Sequence, residues 1–376
     1  MRARFIPAAL VGALLLSACG TMENRNAALT QPPPEPAAPF LAGELVRSPK
    51  LDRSASLTRI AFGSCLNQSR SFAIGEALIT AKPQLMLMIG DNVYGDTSTA
   101  SLDELIGSYA ALNARPDWQR VRRAMPMLAT WDDHDYGFND AGADFPYKRA
   151  SQKLFAQFWD LPLDHPAWTR EGIYDSLIVG PEGQRVQIIL LDTRSFRSPL
   201  KDTDERDVPG KQRYMPDPDP AKTMLGDAQW AWLEEELRKP AELRLLVSSI
   251  QVIAEGHGWE RWGNLPHEQK RLYDLIARTG AKGVVFLSGD RHQGALYKET
   301  KGVPYPLYEI TSSSLNMSFA RTSKPDLTSA SRISDMVAEV NFGLIDIDWA
   351  TGEATLSLRG EKGEAVATQA VPFGAR

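Results

Sequence analysis

Apolar residues along the chain fall into two spacings. Unbroken runs in "PQLMLMIG", "MPMLATWDDHD", "QRVQIILLDTR", "ELRLLVSSIQV" and "AKGVVFLSGDRH" predict short strands buried on both faces. Between them, "SFAIGEALITAK", "SLDELIGSYAALNA", "KRASQKLFAQFWDL", "DAQWAWLEEELRK" and "PHEQKRLYDLIART" carry helical spacing, with Ser101 and Asp227 read as N-caps. "GIYDSLIVG" pairs with "QRVQIILLDTR" around a turn at Gly180 to Gly183, and "VNFGLIDIDWATGEATLSLRG" alternates like a hairpin turning at Thr351-Gly352. Ordered structure begins at "LTRIAFGSC". The segment 195–222, rich in Pro and charge, predicts a long surface loop over a site. Strands alternating with helices, then a closing hairpin, predict an α/β domain of mixed strand order.

The first residues follow a different logic. "MRARFIPAALVGALLLSACG" has Arg2 and Arg4, an apolar stretch and small residues before Cys19, the order of a secretory signal. Leu16-Ser17-Ala18-Cys19 has the form of a lipobox, with residues 1–18 removed and Cys19 lipidated; a plain signal cleaved near Ala18 is the other reading. The expectation is a protein of the cell envelope, held at a membrane by its lipid. Gly20 after the cysteine fits outer-membrane sorting in a Gram-negative cell. Residues 19–57, with "QPPPEPAAPF", read as a Pro-rich tether, and 58–376 as the domain. Loss of Arg2 and Arg4 takes the formal charge from -5 to -7. An acidic chain is a poor nonspecific partner for nucleic acid. No second apolar run is long enough to span a bilayer, and no obligate protein partner is evident.

Polar residues gather where the apolar runs stop. "FGSC" ends in Cys65, "GDNVY" presents Asp91 and Tyr94, "WDDHD" presents Asp132, Asp133 and His134, and "SGDRH" presents Asp290 and His292. Each has an ordinary reading alone: Gly-Asp is a turn, a lone His is satisfied locally, a Tyr belongs to the core. Together, at the ends of strands in one α/β layer, they predict a metal site, because buried polar groups need partners. Asp91 has two oxygens with which to bridge two cations, and a two-metal site clamps a phosphoryl group. His134 is placed to hydrogen-bond a phosphate oxygen or protonate a leaving group. Arg194 reads either as a phosphate clamp or as an ion-pair partner of Asp192. Cys65 is left alone once Cys19 is lipidated, so it is buried, reactive or metal-bound. Asn92 and Asp96 read as loop-shaping, and His257 as a loop histidine whose alternative is to face the pocket.

These motifs, with "LLDTR" and the "LGDAQWAWLEEEL" helix, resemble the PhoD-type alkaline phosphatases, a branch of the calcineurin-like metallophosphoesterase superfamily. The resemblance runs from about Arg59 to the final hairpin. It implies a four-layer α/β/β/α sandwich of mixed sheets and hydrolysis of phosphomonoesters or phosphodiesters by direct attack of metal-bound water. It further implies a ferric site of Cys65, Asp91, Tyr94 and His292, and a calcium site of Asp91, Asp133 and Asp290. His134 and Arg194 would be catalytic, and loops 138–150 and 195–222 would select the substrate. The strand that ends in metal-binding His in the wider superfamily here ends in Ser248, Ser249 and Gln251, which favours calcium. Two alternatives stand beside this: a phospholipase D-like phosphodiesterase acting on envelope lipids or polymers, and a non-catalytic metal-binding envelope lipoprotein.

Overall fold

A computed structural model describes residues 41–319 and 326–374. The expected signal peptide, Cys19 and the expected tether up to residue 40 lie outside the described residues. Among the described residues, no helix is long and apolar enough to cross a membrane.

Two six-stranded sheets carry the domain. The first contains β1 (Arg59–Gly63), β2 (Leu85–Ile89), β3 (Met127–Thr130) and the C-terminal strands β12 (Phe342–Asp348), β13 (Glu353–Arg359) and β14 (Ala365–Pro372). Its order is β14-β13-β12-β1-β2-β3, with β1, β2 and β3 parallel and β12 antiparallel to β1. The second contains β4 (Asp175–Val179), β5 (Val186–Leu190), β8 (Leu243–Val247), β9 (Val284–Ser288), β10 (Gly294–Glu299) and β11 (Leu307–Ser312). Its order is β10-β11-β9-β8-β5-β4, and the central strands β5, β8, β9 and β11 are parallel. A two-residue pair, β6 (Lys201–Asp202) with β7 (Tyr214–Met215), gives the 195–222 segment a small ribbon of its own.

The side chains explain why the sheets stack. Alternate residues of a strand face opposite ways. Ile60, Phe62, Leu85 and Leu87 of the first sheet meet Ile188, Leu190, Leu245, Val247, Val285 and Leu287 of the second in one buried cluster. Their neighbours Ala61, Met86 and Met88 turn outward onto helices α1 (Gly75–Ala81), α2 (Asp103–Asn113), α3 (Pro116–Ala124) and α5 (Lys148–Phe158). Ile189, Leu246 and Phe286 turn outward onto α6 (Gly226–Leu237) and α7 (Pro266–Thr279). A strand covered on both faces has no use for polar residues, hence the unbroken apolar runs. The four-layer α/β/β/α order follows from these three clusters.

Several local expectations are revised. Helix α2 begins at Asp103 after Leu102 in a left-handed conformation, and Ser101 donates its hydroxyl to Asp103 rather than capping the helix. Asp227 lies within the first turn of α6, not at its N-cap. Helix α3 was not evident in the sequence: of its nine residues only Trp118, Val121 and Arg122 are buried, and charged and polar residues dominate the rest. Residues 41–57, expected as free tether, lie against the domain. Leu41 is buried in the helix-facing cluster and Leu57 between the sheets. Val46 N–H donates to the Asn113 side chain at 2.9 Å, and the Asn113 amide donates to the Glu44 carbonyl at 3.0 Å. The Pro-rich stretch of the sequence precedes residue 41; the segment 41–57 holds one proline, Pro49, and buries scattered leucines.

Candidate metal centre

The parallel strands deliver their loops to one end of the sandwich. β1 leads into Cys65, β2 into Asp91 and Tyr94, and β9 into Asp290 and His292. β3 leads into Asp133 and His134 in a single turn, α4 (Asp133–Tyr136), closed by a capping box between Asp132 and Asp135. These turns are tight. Cys65, Asp91, Asp290 and His292 all adopt positive φ, +60°, +48°, +68° and +52°. Non-glycine residues enter this region only when surrounding contacts compel them, and such strain concentrates at functional sites. Gly90 supplies the close approach of β2's exit to β3's: at φ +111°, a Cβ there would sit 2.6 Å from the Asp132 Cβ.

The ligand-type atoms converge. Cys65 Sγ, an Asp91 oxygen and a His292 ring nitrogen lie within 4.8 Å of one another. The same limit holds within the set Asp91, Asp133 and His134, and within Asp132, Asp133 and Asp290. Tyr94 joins the first set, its hydroxyl donating to Asp91 Oδ2 at 3.2 Å and lying 3.3 Å from His292 Nε2. His292 Nδ1 donates to the Met317 carbonyl, which leaves Nε2 as the lone-pair nitrogen facing Tyr94. Asp91 and Asp133 are the shared members. Among the described residues, Asp91 and Asp290 do not fall in one set. Asp133 links them, and Asp132 stands beside Asp133 and Asp290 where Asp91 was expected.

The donor chemistry fits cations. Asp91 Oδ1 and Asp132 Oδ2 are buried without a hydrogen-bond partner. Burial and then the Asp133 charge push the Asp91 carboxyl well above the usual range. Burial and then Asp132 and Asp133 do the same to Asp290. Burial also raises the Cys65 thiol and the Tyr94 phenol, with Asp91 adding to both. A cation among these groups removes the repulsion and supplies the missing partner.

His134 is fixed from the side. Its Nδ1 donates to both oxygens of Asp96 at 2.9 Å, leaving Nε2 as the free ring nitrogen of a side chain that lines a cavity. Burial opposes its charge, but Asp133, Asp91 and Asp96 outweigh it and hold the imidazolium up to about 11. The Asp96 role was hidden in the sequence, where an aspartate in a Gly-rich loop reads as turn chemistry.

Arg194 corrects the phosphate-clamp expectation. Its side chain is 0% exposed. Nε donates to Asp132 Oδ1 at 2.5 Å, and Nη1 pairs with Glu260 at 2.7 Å. Of Arg194's groups, Asp192 accepts the backbone N–H alone, at 3.0 Å, so the expected side-chain pair is absent too. A guanidinium this enclosed cannot reach substrate. It compensates Asp132, whose carboxyl burial pushes up and Arg194 draws back, to about 6. His257 is likewise structural: Nε2 donates to Gln251 Oε1 at 2.9 Å and Nδ1 accepts the Trp259 N–H. Ser249 donates to Asp132 Oδ1 at 2.7 Å, so the end of β8 supports a carboxylate rather than offering a ligand.

Beside the centre opens a cavity of about 570 Å³. Tyr94, Asp133, His134, Asp290 and His292 form its floor. Loop residues Asn139, Asp140, Val208, Pro209, Gln212 and Arg213 form one wall, and Trp259, Arg291, Met317 and Phe319 the other. Both loops expected to contact substrate, 138–150 and 195–222, reach it. Arg213 and Arg291 lie against the Trp259 ring at 5.0 and 5.7 Å.

Two mixed sheets back to back, with carboxylate, imidazole, phenol and thiol ligands at their strand ends, define a metal-binding fold of the metallophosphoesterase type. The chain belongs to the PhoD-like phosphatase family, whose model matches residues 60–358. It is 23% identical over 277 residues to alkaline phosphatase D of Bacillus subtilis (strain 168), a match covering 62% of this chain and 45% of that protein. The chain thus spans less than half of that relative's length. The solved structure titled "Structure of PhoD" superposes with a TM-score of 0.66 at 17% identity, over 85% of this chain and 70% of the other. GAP50, described as the anchor in the inner membrane complex of Plasmodium, superposes with a TM-score of 0.56 at 13% identity, over 86% of this chain and 90% of that one. At these identities the structural likeness speaks for the fold.

One consequence concerns protons. Because Asp91 and Asp290 retain theirs above the usual carboxylate range, a cation must displace them, and binding strengthens as pH rises. Calorimetric titration with a divalent cation near pH 6, in two buffers of different ionisation enthalpy, should show net proton release. No release would mean that the carboxylates are already ionised.

Proposed function

We propose that this protein is a metal-dependent phosphoesterase, exported and lipid-anchored at Cys19 in the cell envelope. The observation that carries the catalytic part is the sharing of Asp91 and Asp133 among adjoining ligand sets, of which Asp133, His134, Asp290 and His292 line the cavity. Family membership supports the same reading. The pattern Arg2, Arg4, apolar stretch and Leu16-Ser17-Ala18-Cys19 supports the location.

The two ligand sets suit different ions. Thiolate, phenolate and imidazole from Cys65, Tyr94 and His292 favour a redox transition metal, and ferric iron is our assignment. The all-oxygen set of Asp133, Asp290 and Asp132 or Asp91 favours calcium. When bound, the cations supply Lewis acidity and charge compensation at the phosphoryl oxygens. The protein's own groups do the rest. Asp91 and Asp133 hold the sets in register. His134, its Nδ1 held by Asp96, presents its other ring nitrogen to a phosphoryl or leaving-group oxygen as hydrogen-bond or proton donor. Arg194 and Ser249 keep Asp132 in place beneath them. No side chain is required as a covalent nucleophile.

The cavity bears on substrate. Its volume falls in the range of small-molecule sites and exceeds what a bare phosphate fills. Trp259, Phe319, Met317, Val208 and Pro209 offer apolar surface to the rest of an ester. We therefore favour a phosphodiester, or a monoester with a bulky leaving group, as substrate.

The test is hydrolysis of a chromogenic phosphomonoester and its matching diester, with and without a chelator and added calcium. Chelator-sensitive turnover of either is expected, with the diester preferred; a metal-loaded protein that turns over neither contradicts the proposal. His134→Ala should lower kcat by ~10²–10⁴-fold while metal content stays constant; equal loss of metal would refute its role as proton donor. Cys19→Ser should move the protein out of the membrane fraction, and retention there would refute the anchor.

A further inference from the structure

The mechanism leaves unused a run of four hydroxyl residues that ends β11 and continues beyond it: Thr311, Ser312, Ser313 and Ser314, all fully buried. Buried hydroxyls must find partners. Thr311 pairs with Ser288 at 2.8 Å, and Ser312 donates to Asn341 Oδ1 at 2.9 Å. These two tie the strand end to its neighbours. The next two do something different.

Ser313 Oγ has two contacts. It accepts the His292 backbone N–H at 2.8 Å, and it lies 3.1 Å from Cys65 Sγ. The sulfur's other contact sets the direction. Cys65 Sγ gives its single hydrogen to Asp91 Oδ2 at 3.4 Å, and as a metal ligand it would carry none, so toward Ser313 the sulfur accepts and the hydroxyl donates. Ser314 completes a clamp by donating its hydroxyl to the His292 carbonyl at 3.1 Å. His292 is thus gripped at both backbone groups while it holds φ at +52°, an uncommon conformation for a residue other than glycine. Cys65, at φ +60°, is the sulfur on the other side of the same serine.

We infer that Ser313 is a positioning residue of the metal centre: it donates a hydrogen bond to the Cys65 sulfur and, with Ser314, locks the His292 peptide, so that sulfur and imidazole are presented as a fixed pair. This rests on the reading that Cys65 and His292 hold a cation. Hydrogen bonds to a ligating sulfur draw charge away from the metal, and partners that orient a histidine ligand set its geometry. Ser313 acts on both ligands at once; Ser314 touches only the histidine.

The division gives a test that does not depend on turnover. The full-length protein is stripped with a chelator and titrated with cobalt(II) alone, and the sulfur-to-metal charge-transfer absorption is recorded together with the dissociation constant. In Ser313→Ala the band should move to lower energy, because the sulfur has lost its donor, and affinity should fall by ~10–100-fold. Ser313→Thr, which keeps the hydroxyl, should restore both. Ser314→Ala should weaken binding while leaving the band energy in place. If Ser313→Ala leaves the band where it is, or if Ser314→Ala moves it as far, the serine does not act on the sulfur and the inference is wrong. A wild-type protein with no sulfur-to-cobalt band overturns the metal reading itself, and the inference with it. That outcome is separate from a negative hydrolysis result, which leaves the band untouched.

Discussion

Like charges held out of water are the constraint around which this molecule is arranged. Asp91, Asp132, Asp133 and Asp290 all lie buried or nearly so at one end of the sandwich, with a thiol and a phenol among them. Carboxylates at this density cannot all ionise in a low-dielectric setting without opposite charge. The protein supplies some of that charge itself through Arg194 and His134. The remainder, centred on Asp91 and Asp290, calls for cations, and the unpartnered Asp91 Oδ1 marks one place where they are missing partners.

The fold makes such a cluster affordable by building it on rigid parts. Every candidate ligand lies within a few residues of a strand whose apolar faces are buried on both sides, so the positions of the loops are set by packing that has nothing to do with metal. The backbone then bends sharply, through positive φ at Cys65, Asp91, Asp290 and His292. Strain of this kind persists only where neighbouring contacts over-determine it. Here those contacts are side chain to backbone: Asp135 accepts the Asp91 and Asp132 N–H groups at 3.2 and 2.7 Å, and Ser313 accepts that of His292. Contacts of this kind hold ligands in place, which lowers the ordering cost of binding an ion.

Much of this was legible in the chain, and the illegible parts share a cause. The central strands were visible because burial on both faces leaves unbroken apolar runs. The ligand set was visible because Asp, His, Tyr and Cys cluster at the ends of those runs. Strand β11 was not, since Glu309 interrupts it; the structure shows that carboxylate accepting the backbone N–H groups of Val252, Ile253 and Ala254, a partnership no local pattern reveals. Arg194 was misplaced for the same reason: its true partners, Asp132 and Glu260, are 62 and 66 positions away in the sequence. Asp96 and Ser313 also act through distant residues. Periodicity reports which face of an element is buried, but not which polar group meets which across the fold.

The measurement that bears most directly on the account is the metal content of the purified protein and of its Cys65→Ser variant, by elemental analysis alongside the visible spectrum. Two adjoining sites of different chemistry predict at least two cations per chain, with the metal at the Cys65, Tyr94 and His292 set lost selectively from the variant together with its visible absorption, and the cation of the all-oxygen set retained. A wild-type protein that hydrolyses phosphate esters while holding no metal, or a variant whose metals are all unchanged, would contradict it.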